Sequence, residues 1–407
     1  MVNFVFLSVY FYSVPNLRFP SFSHDWKIYT FDDIASYKKG PFGSALKKDL
    51  FVPKSKESVK VYEQQNAINK DCHLERYFIS ANYYEKMKSF TVYPGDTIVS
   101  CAGTIGELYT LPENADIGII NQALMIIRNN QAIILKDFLN IQFSRMIDEF
   151  SKTYSNGSAI KNIPPFSDLK RKKTYVPDKL EQEKIIKFIS LLDQKITTQI
   201  KIIELKQSLI KDIEDKLLWK SASTYSRHIS DFLTELNDKS KIQNQYPLLS
   251  STKKGLFLQT DYFNKEAASS NNIGYKIVHE GDIIISPQNL WMGNITYNDK
   301  FVNGLVSPSY RIYKVKEEYN AYYISRILMS YRALSLYKNI SEQGASIVRR
   351  NLNVDAFNEL CFPIPNIKKQ DEVSLFLSKL HQELNSEIEI LRQLKNQKKY
   401  LLCNMFI

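Results

Sequence analysis

The stretch Pro177–Trp219 occurs twice in this chain, and no other feature limits the available folds so severely. It opens Pro177-Asp178-Lys179-Leu180-Glu181-Gln182-Glu183-Lys184-Ile185, and at an offset of 188 the chain reads Pro365-Asn366-Ile367-Lys368-Lys369-Gln370-Asp371-Glu372-Val373. Without a gap the copies share Pro177/Pro365, Gln182/Gln370, Phe188/Phe376, Ser190/Ser378, Leu192/Leu380, Gln194/Gln382, Ile200/Ile388 and Ile202/Ile390. Each Pro ends an extended segment, because proline disfavours helix in the residue before it. Neither run contains Gly or Pro afterwards, so both read as helix. Apolar residues recur at heptad-like spacing: Ile189, Leu192, Ile196, Ile203, Ile210, Ile213 and Leu217, then Leu377, Leu380, Leu384, Leu391, Leu394, Leu401 and Met405. Gln199 and Glu387 interrupt the two seams at matching positions. At 1.5 Å per residue each rod is roughly 60 Å long, too long to bury its stripe against one small domain. The pattern therefore predicts two rods paired as a coiled coil. Two ordinary long helices in separate domains is the alternative.

The repeat extends beyond the helices. Tyr93-Pro94-Gly95-Asp96 reads as a turn leading into the strand Thr97–Ser100, and Gly281-Asp282 leads into Ile283–Ser286. Gly118 matches Gly304, and the β-rich segment Gln122–Arg128 matches Pro308–Lys314. Helical stretches follow around Phe138–Glu149 and Ala321–Leu336, then glycine loops around Gly157 and Gly344. Offsets of 186, 187 and 188 in one order mean a tandem duplication of a mixed α/β domain followed by a long helix. The fold class is α+β, divided into domain one at 14–176, rod one at 177–219, domain two at 220–364 and rod two at 365–407. Paired antiparallel, the rods would give the molecule internal pseudo-two-fold symmetry. The frame repeats but the loops do not: Ala102-Gly103-Thr104-Ile105-Gly106-Glu107 stands where the second copy has Gln288-Asn289-Leu290-Trp291-Met292-Gly293. A duplicated frame with different loops suggests two modules that read two targets.

Composition narrows the class. A chain of 407 residues has room for two or three domains, and 44% hydrophobic with 24% charged residues marks it as globular. Lys and Arg number 54 against 43 Asp and Glu, a net charge of +11 that favours a polyanionic partner. Basic residues cluster at Lys47-Lys48, Lys170–Lys173 and Arg349-Arg350. Cys72, Cys101, Cys361 and Cys403 are scattered, and the histidines lack ligand spacing, so neither a disulfide framework nor a metal site is expected. This suits the cytoplasm. No stretch reaches transmembrane length, and Met1–Tyr12, though apolar, lacks the basic start and cleavage site of a signal peptide.

With these residues in hand, the chain resembles the specificity subunit of type I restriction–modification systems. The resemblance rests on Gly40–Phe51, Gly95–Ser100, Gly103–Glu107, Gly118–Leu124, the opening Pro15-Asn16-Leu17-Arg18-Phe19-Pro20, and the Pro-x-x-x-Glu-Gln-x-x-Ile motif at Pro177–Ile185. The second copy departs from that motif, with Lys369 in the Glu place and Val373 in the Ile place, and residues 1–13 fall outside the pattern. The resemblance implies two target-recognition domains alternating with two helical spacers, and a function as the address of a DNA-modifying complex. It implies double-stranded DNA, two methylation subunits and restriction (motor and nuclease) subunits as partners, with no membrane and no cofactor. Lys47, Lys48, Lys161, Arg349 and Arg350 are candidates for the phosphate backbone. Ser100, Thr104, Asn121 and Gln122 in the first domain, and Gln288, Asn289, Trp291, Ser307 and Ser309 in the second, are candidate base readers. Glu181, Gln182 and Gln370 at the helix openings, with the off-seam apolar residues Ile186, Leu191, Ile202, Leu205 and Leu209, are candidates for docking the methylation subunits.

No catalytic signature is present: there is no Walker loop and no Gly-x-Gly-x-x-Gly. Asn162-Ile163-Pro164-Pro165-Phe166 looks superficially like an amino-methyltransferase motif, but Ile163 occupies the place of a polar side chain, so it reads as the approach to a strand. The expectation is a non-catalytic subunit whose complex would be a restriction endonuclease and adenine methyltransferase. The competing readings are a protein-binding scaffold and an enzyme with an unfamiliar site. Different loops on paired rods predict a bipartite, asymmetric target around a gap of unspecified bases, the gap following rod length.

Overall fold

The computed structural model describes residues 14–154, 166–220, 226–253, 255–262, 271–343 and 350–407. It separates into two compact units, Met1–Thr197 with Arg392–Ile407, and Thr198–Leu391, so both unit boundaries cut through the long helices.

Each unit is built on a four-stranded antiparallel sheet. In the first the order is Ala35–Lys39, Leu124–Asn129, Thr97–Ser100, Leu108–Thr110; in the second it is Leu233–Leu236, Arg311–Val315, Ile283–Ile285, Ile295–Tyr297. Strand side chains alternate between faces, and here both faces are covered. Val99, Cys101, Met125 and Ile127 join one buried cluster while Ile98, Leu124 and Ile126 join another. The second unit repeats this, with Ile283, Ile285, Tyr313 and Val315 on one side and Ile284 and Ile312 on the other. That double burial explains why these strands read as continuous apolar runs.

The helix Lys136–Tyr154 covers one face of the first sheet through Phe138, Leu139, Phe143, Met146 and Ile147. In the second unit the single helix expected over Ala321–Leu336 is two, Ala321–Leu328 and Tyr331–Asn339, because the Ser330 side chain accepts from the Ala333 amide and starts a new helix. The first unit adds a five-stranded sheet on the opposite face, in the order Phe51–Val52, Tyr77–Ser80, Ser58–Tyr62, Gly118–Ile120, Thr91–Val92. The residues before Lys173–Val176 do not approach that strand directly: Phe166–Arg171 is helical, and residues 162–165 of the proline motif lie outside the described residues.

The long helices run Lys179–Asp215 and Ile367–Asn404. The first ends in a π-helical turn, Lys216–Lys220. Both start alike: Asp178 accepts from the Glu181 amide at 2.9 Å and Asn366 from the Lys369 amide at 3.0 Å. The helices pair antiparallel, since partners fall on one as positions rise on the other. Asp193 meets Lys398 in the first unit; Gln199 meets Glu387, and Glu214 faces His381, in the second. The two polar interruptions of the seam are thus each other's partner, with the Gln199 amide donating to the Glu387 carboxylate at 2.7 Å. The predicted seam is the contact face: Ile189, Leu192, Ile203, Ile210 and Leu377 are buried. The core of the first unit takes in Ile185, Ile189, Met405 and Phe406, and the Leu17 amide donates to Asn404 O at 2.8 Å. The core of the second takes in Leu218, Val373 and Leu377, with Ile213, Leu217, Trp219 and Leu380 packed on it.

Candidate nucleic-acid interface

The divergent loops are hairpin tips at equivalent ends of the two sheets. In the first unit the Ser100 amide donates to Glu107 O at 3.0 Å, and Thr104 stands exposed at the tip between them. Gly106, at φ +81°, lies against the helix behind it; a Cβ there would come within 2.6 Å of the Ile147 side chain. In the second unit the Ser286 amide donates to Asn294 O at 3.0 Å, and Gly293, at φ +90°, lies against Leu334, 3.5 Å from where its Cβ would be. Both glycines and both helix residues are 187 apart, so the root is duplicated and only the tip differs.

The other first-unit candidates reach the same end of the sheet. The Cys101 amide donates to Ala123 O at 2.8 Å, and the Gly40 amide to Leu124 O at 2.9 Å, which places the Asn121-Gln122 turn beside the hairpin root. A Cβ on Gly40 would fall 1.9 Å from Asn121 O, so only glycine lets the chain leave the strand Ala35–Lys39 there. Lys47 and Lys48 follow on the next turns, both exposed. Gln122 is exposed, while the Asn121 side chain accepts from the Ala123 amide at 3.0 Å and shapes the turn.

Ser100 is a correction. It is fully buried and its Oγ accepts from the Glu107 amide at 2.9 Å, so it closes the hairpin and presents nothing to a base. Cys101 beside it is also buried, and burial pushes its thiol up to about 12, leaving it neutral. Gln64, which the sequence did not single out, secures the tip by donating its amide to Ala102 O at 2.5 Å. A glutamine on a short helix gives no sign of that role.

In the second unit the strand pair Ile285↔Arg311 sets the Gln288–Trp291 tip and the Ser307–Ser309 turn at one end of the sheet. The tip is a 3-10 turn, Leu290–Met292, with Leu290 buried in the core and Gln288 exposed. Asn289 is half-buried, its backbone carbonyl accepting from the Met292 amide at 3.1 Å. Ser307 and Ser309 hydrogen-bond each other at 3.1 Å between their Oγ atoms. Arg350 lies against this tip, its guanidinium 4.9 Å from the Trp291 ring centre. Lys161, Arg349, Gly157 and Gly344 lie outside the described residues.

The polar residues expected to dock partners are turned inward instead. Glu181 is buried, taking hydrogen bonds from Arg18 at 2.7 and 2.8 Å and from the Trp26 indole at 3.2 Å. Gln182 accepts from the Leu135 amide at 2.7 Å and donates to Ile133 O at 3.1 Å and Pro177 O at 2.9 Å. Gln370 repeats part of that lock, accepting from the Asn320 amide at 2.9 Å and donating to Pro365 O at 2.8 Å. These three side chains are buried and fix the helix openings to their own units. Lys369, in the Glu place, points out to Glu372 at 3.2 Å. Ile186 packs against the first core, whereas Leu191, Ile202, Leu205 and Leu209 are exposed, Leu205 by 71%. Two exposed apolar pairs are repeat-equivalent, Phe188/Phe376 and Ile202/Ile390. The positions matching Leu205 and Leu209 carry Gln393 and Gln397.

Among the described residues no group of three His, Cys, Asp or Glu side chains could hold a metal, and no helix is long and apolar enough to cross a membrane.

Residues 23–207 match the family model described as "Type I restriction modification DNA specificity domain". No curated protein matches the chain. Among solved structures, the crystal structure of the type I restriction-modification S subunit from M. genitalium aligns over 97% of this chain and 99% of its own, at 17% identity and a TM-score of 0.53. A structure described as showing complex assembly and conformational transition of the type I R-M system aligns over 93% of this chain and 96% of its own, at 10% identity and a TM-score of 0.56. At these identities the likeness is one of fold.

Proposed function

We propose, from the match of residues 23–207 to the type I restriction modification DNA specificity domain, that the chain's two units each read one short element of a bipartite, asymmetric DNA target. The observation that carries this reading is the duplicated hairpin root, Gly106 on Ile147 and Gly293 on Leu334, bearing unlike tips. A shared root holds each tip to its sheet in the same way, and the unlike side chains give each half its own sequence preference. In this reading Thr104 and Gln122 meet base edges in one half, Gln288, Asn289 and Trp291 in the other, and Lys47 and Lys48 meet phosphates. Ser307 and Ser309 shape the second reading surface.

The chain supplies the address; methyl transfer, ATP hydrolysis and cleavage belong to partner subunits in the cytoplasm. Two methylation subunits dock, one per repeat, and the pairs Phe188/Phe376 and Ile202/Ile390 support that count, since repeated apolar surfaces can seat repeated partners. The test is methylome sequencing of a host carrying this chain with its methylation subunit, beside gel shifts at low and high salt. A bipartite motif and binding that weakens steeply with salt are expected. A continuous or palindromic motif, or salt-independent binding, would refute the reading.

A further inference from the structure

Arg350 opens the strand Arg350–Leu352, next to the hairpin tip that carries Gln288 and Trp291. Its position among basic residues suggests a phosphate contact, yet its side chain is engaged elsewhere. The guanidinium lies 4.9 Å from the Trp291 ring centre. Its Nη1 donates to Lys338 O and Ser341 O, both at 3.4 Å. The Arg350 backbone amide donates to Gln288 O at 3.2 Å. One residue thus grips the tip twice, through a cation–π contact on Trp291 and a backbone bond to Gln288.

The polar atoms show which force dominates. Arg350 Nε and the Trp291 indole N–H are both buried without an acceptor among the described residues. Burying two unpaired donors is unfavourable, so the arrangement persists on the cation–π contact and not on its hydrogen bonds. A phosphate contact needs the reverse, with N–H groups presented outward to an oxygen. Leu290, one residue before Trp291, is fixed in the core, so the indole is the part of the tip that Arg350 covers.

We infer that Arg350 is a positioning residue for the second reading loop: it holds Trp291 and Gln288 in one conformation and thereby sets base discrimination in the second half-site. The inference rests on the DNA-reading function proposed above. It separates sharply from a phosphate role under Arg350→Lys. Lysine keeps the charge but has no planar face to stack and cannot reproduce the grip.

Arg350→Lys and Arg350→Ala are compared with the unaltered chain in two measurements. The first needs no DNA: acrylamide quenching of tryptophan fluorescence, with Trp291→Phe identifying the Trp291 contribution. Both variants should make Trp291 more quenchable. The second uses the chain with its methylation subunit. Both variants should lower discrimination at the second element roughly tenfold, within the range of one good base contact, and leave the first element and the salt slope unchanged. Arg350→Lys behaving as the unaltered chain, with Arg350→Ala lowering the salt slope by about 1, would overturn the inference in favour of a phosphate contact. Unchanged quenching in Arg350→Ala would overturn it as well. Absence of salt-dependent, sequence-selective binding by the unaltered chain would instead remove the DNA-reading function itself.

Discussion

Replacing Gln182 and Gln370 one at a time should give two losses of stability in a fixed order. Gln182 is fully buried and makes three hydrogen bonds, to Leu135 N, Ile133 O and Pro177 O. Gln370 is as buried and makes two, to Asn320 N and Pro365 O. A hydrogen bond of this kind contributes about 1 kcal/mol net. Gln182→Ala should therefore cost about 3 kcal/mol and Gln370→Ala about 2 kcal/mol, because each bond lost strands a buried backbone group. Truncation also opens a cavity, so methionine is the needed control. It restores most of the volume and none of the bonds, and Gln182→Met should lose nearly as much as Gln182→Ala. Urea titrations followed by far-ultraviolet circular dichroism give the midpoints and slopes. The reasoning fails if Gln370→Ala costs as much as Gln182→Ala. It fails equally if methionine at 182 restores stability, or if either change stays within about 0.5 kcal/mol, as at an ordinary surface site.

Glu181→Ala leaves the Arg18 guanidinium without its carboxylate at a site only 13% exposed, and should cost about 3 kcal/mol, whereas Lys369→Ala at the matching surface position should be neutral by the same titration. The Glu387 carboxylate is held below its ordinary value by the hydrogen bond from Lys206 and then that from Gln199. A lowered folded value means its contribution is present above 4.5 and lost as pH falls through the folded value, so the melting difference between the unaltered chain and Glu387→Gln should hold from neutral pH down to about 4.5 and shrink below it. Lys47→Ala with Lys48→Ala should weaken binding to every duplex alike and reduce the salt slope by about 1 per residue in gel shifts. Phe376→Ser, at a side chain 48% exposed, should lower the number of methylation subunits bound per chain from two to one in light scattering, with the same readout for Phe188→Ser.

How much of this was legible depended on whether a residue's role was written in spacing. The seam was, because Ile189, Leu192, Ile203 and Ile210 can share a face only at helical period. The pairing of Gln199 with Glu387 was half legible: their equivalence was visible, their contact was not. Polar letters carry no mark of direction. Ser100, Glu181, Gln182 and Gln370 look like surface residues until the carbonyls and amides around them are placed, and those come from distant segments such as Ile133–Leu135 and Asn320. The split at Ser330 was hidden for a related reason, since serine caps a helix only where a preceding turn has already ended. The five-stranded sheet of the first unit escaped because its strands are short and joined out of order, Ser58–Tyr62 pairing parallel with Gly118–Ile120.

The placement of Met405 and Phe406 in the core of the first unit has a consequence for how the chain is made. That unit is assembled from Met1–Thr197 and Arg392–Ile407, with all of Thr198–Leu391 translated in between. At a synthesis rate of 5–20 residues per second, the interval is on the order of 10–40 s. Through it the rings of Trp26 and Phe138, which pack against Phe406 in the finished protein, wait without their partner. The second unit comes from one uninterrupted span and is complete first, although it is encoded second. Loss of the Met405 and Phe406 side chains should therefore injure the unit that is encoded first and spare the one encoded nearer to them.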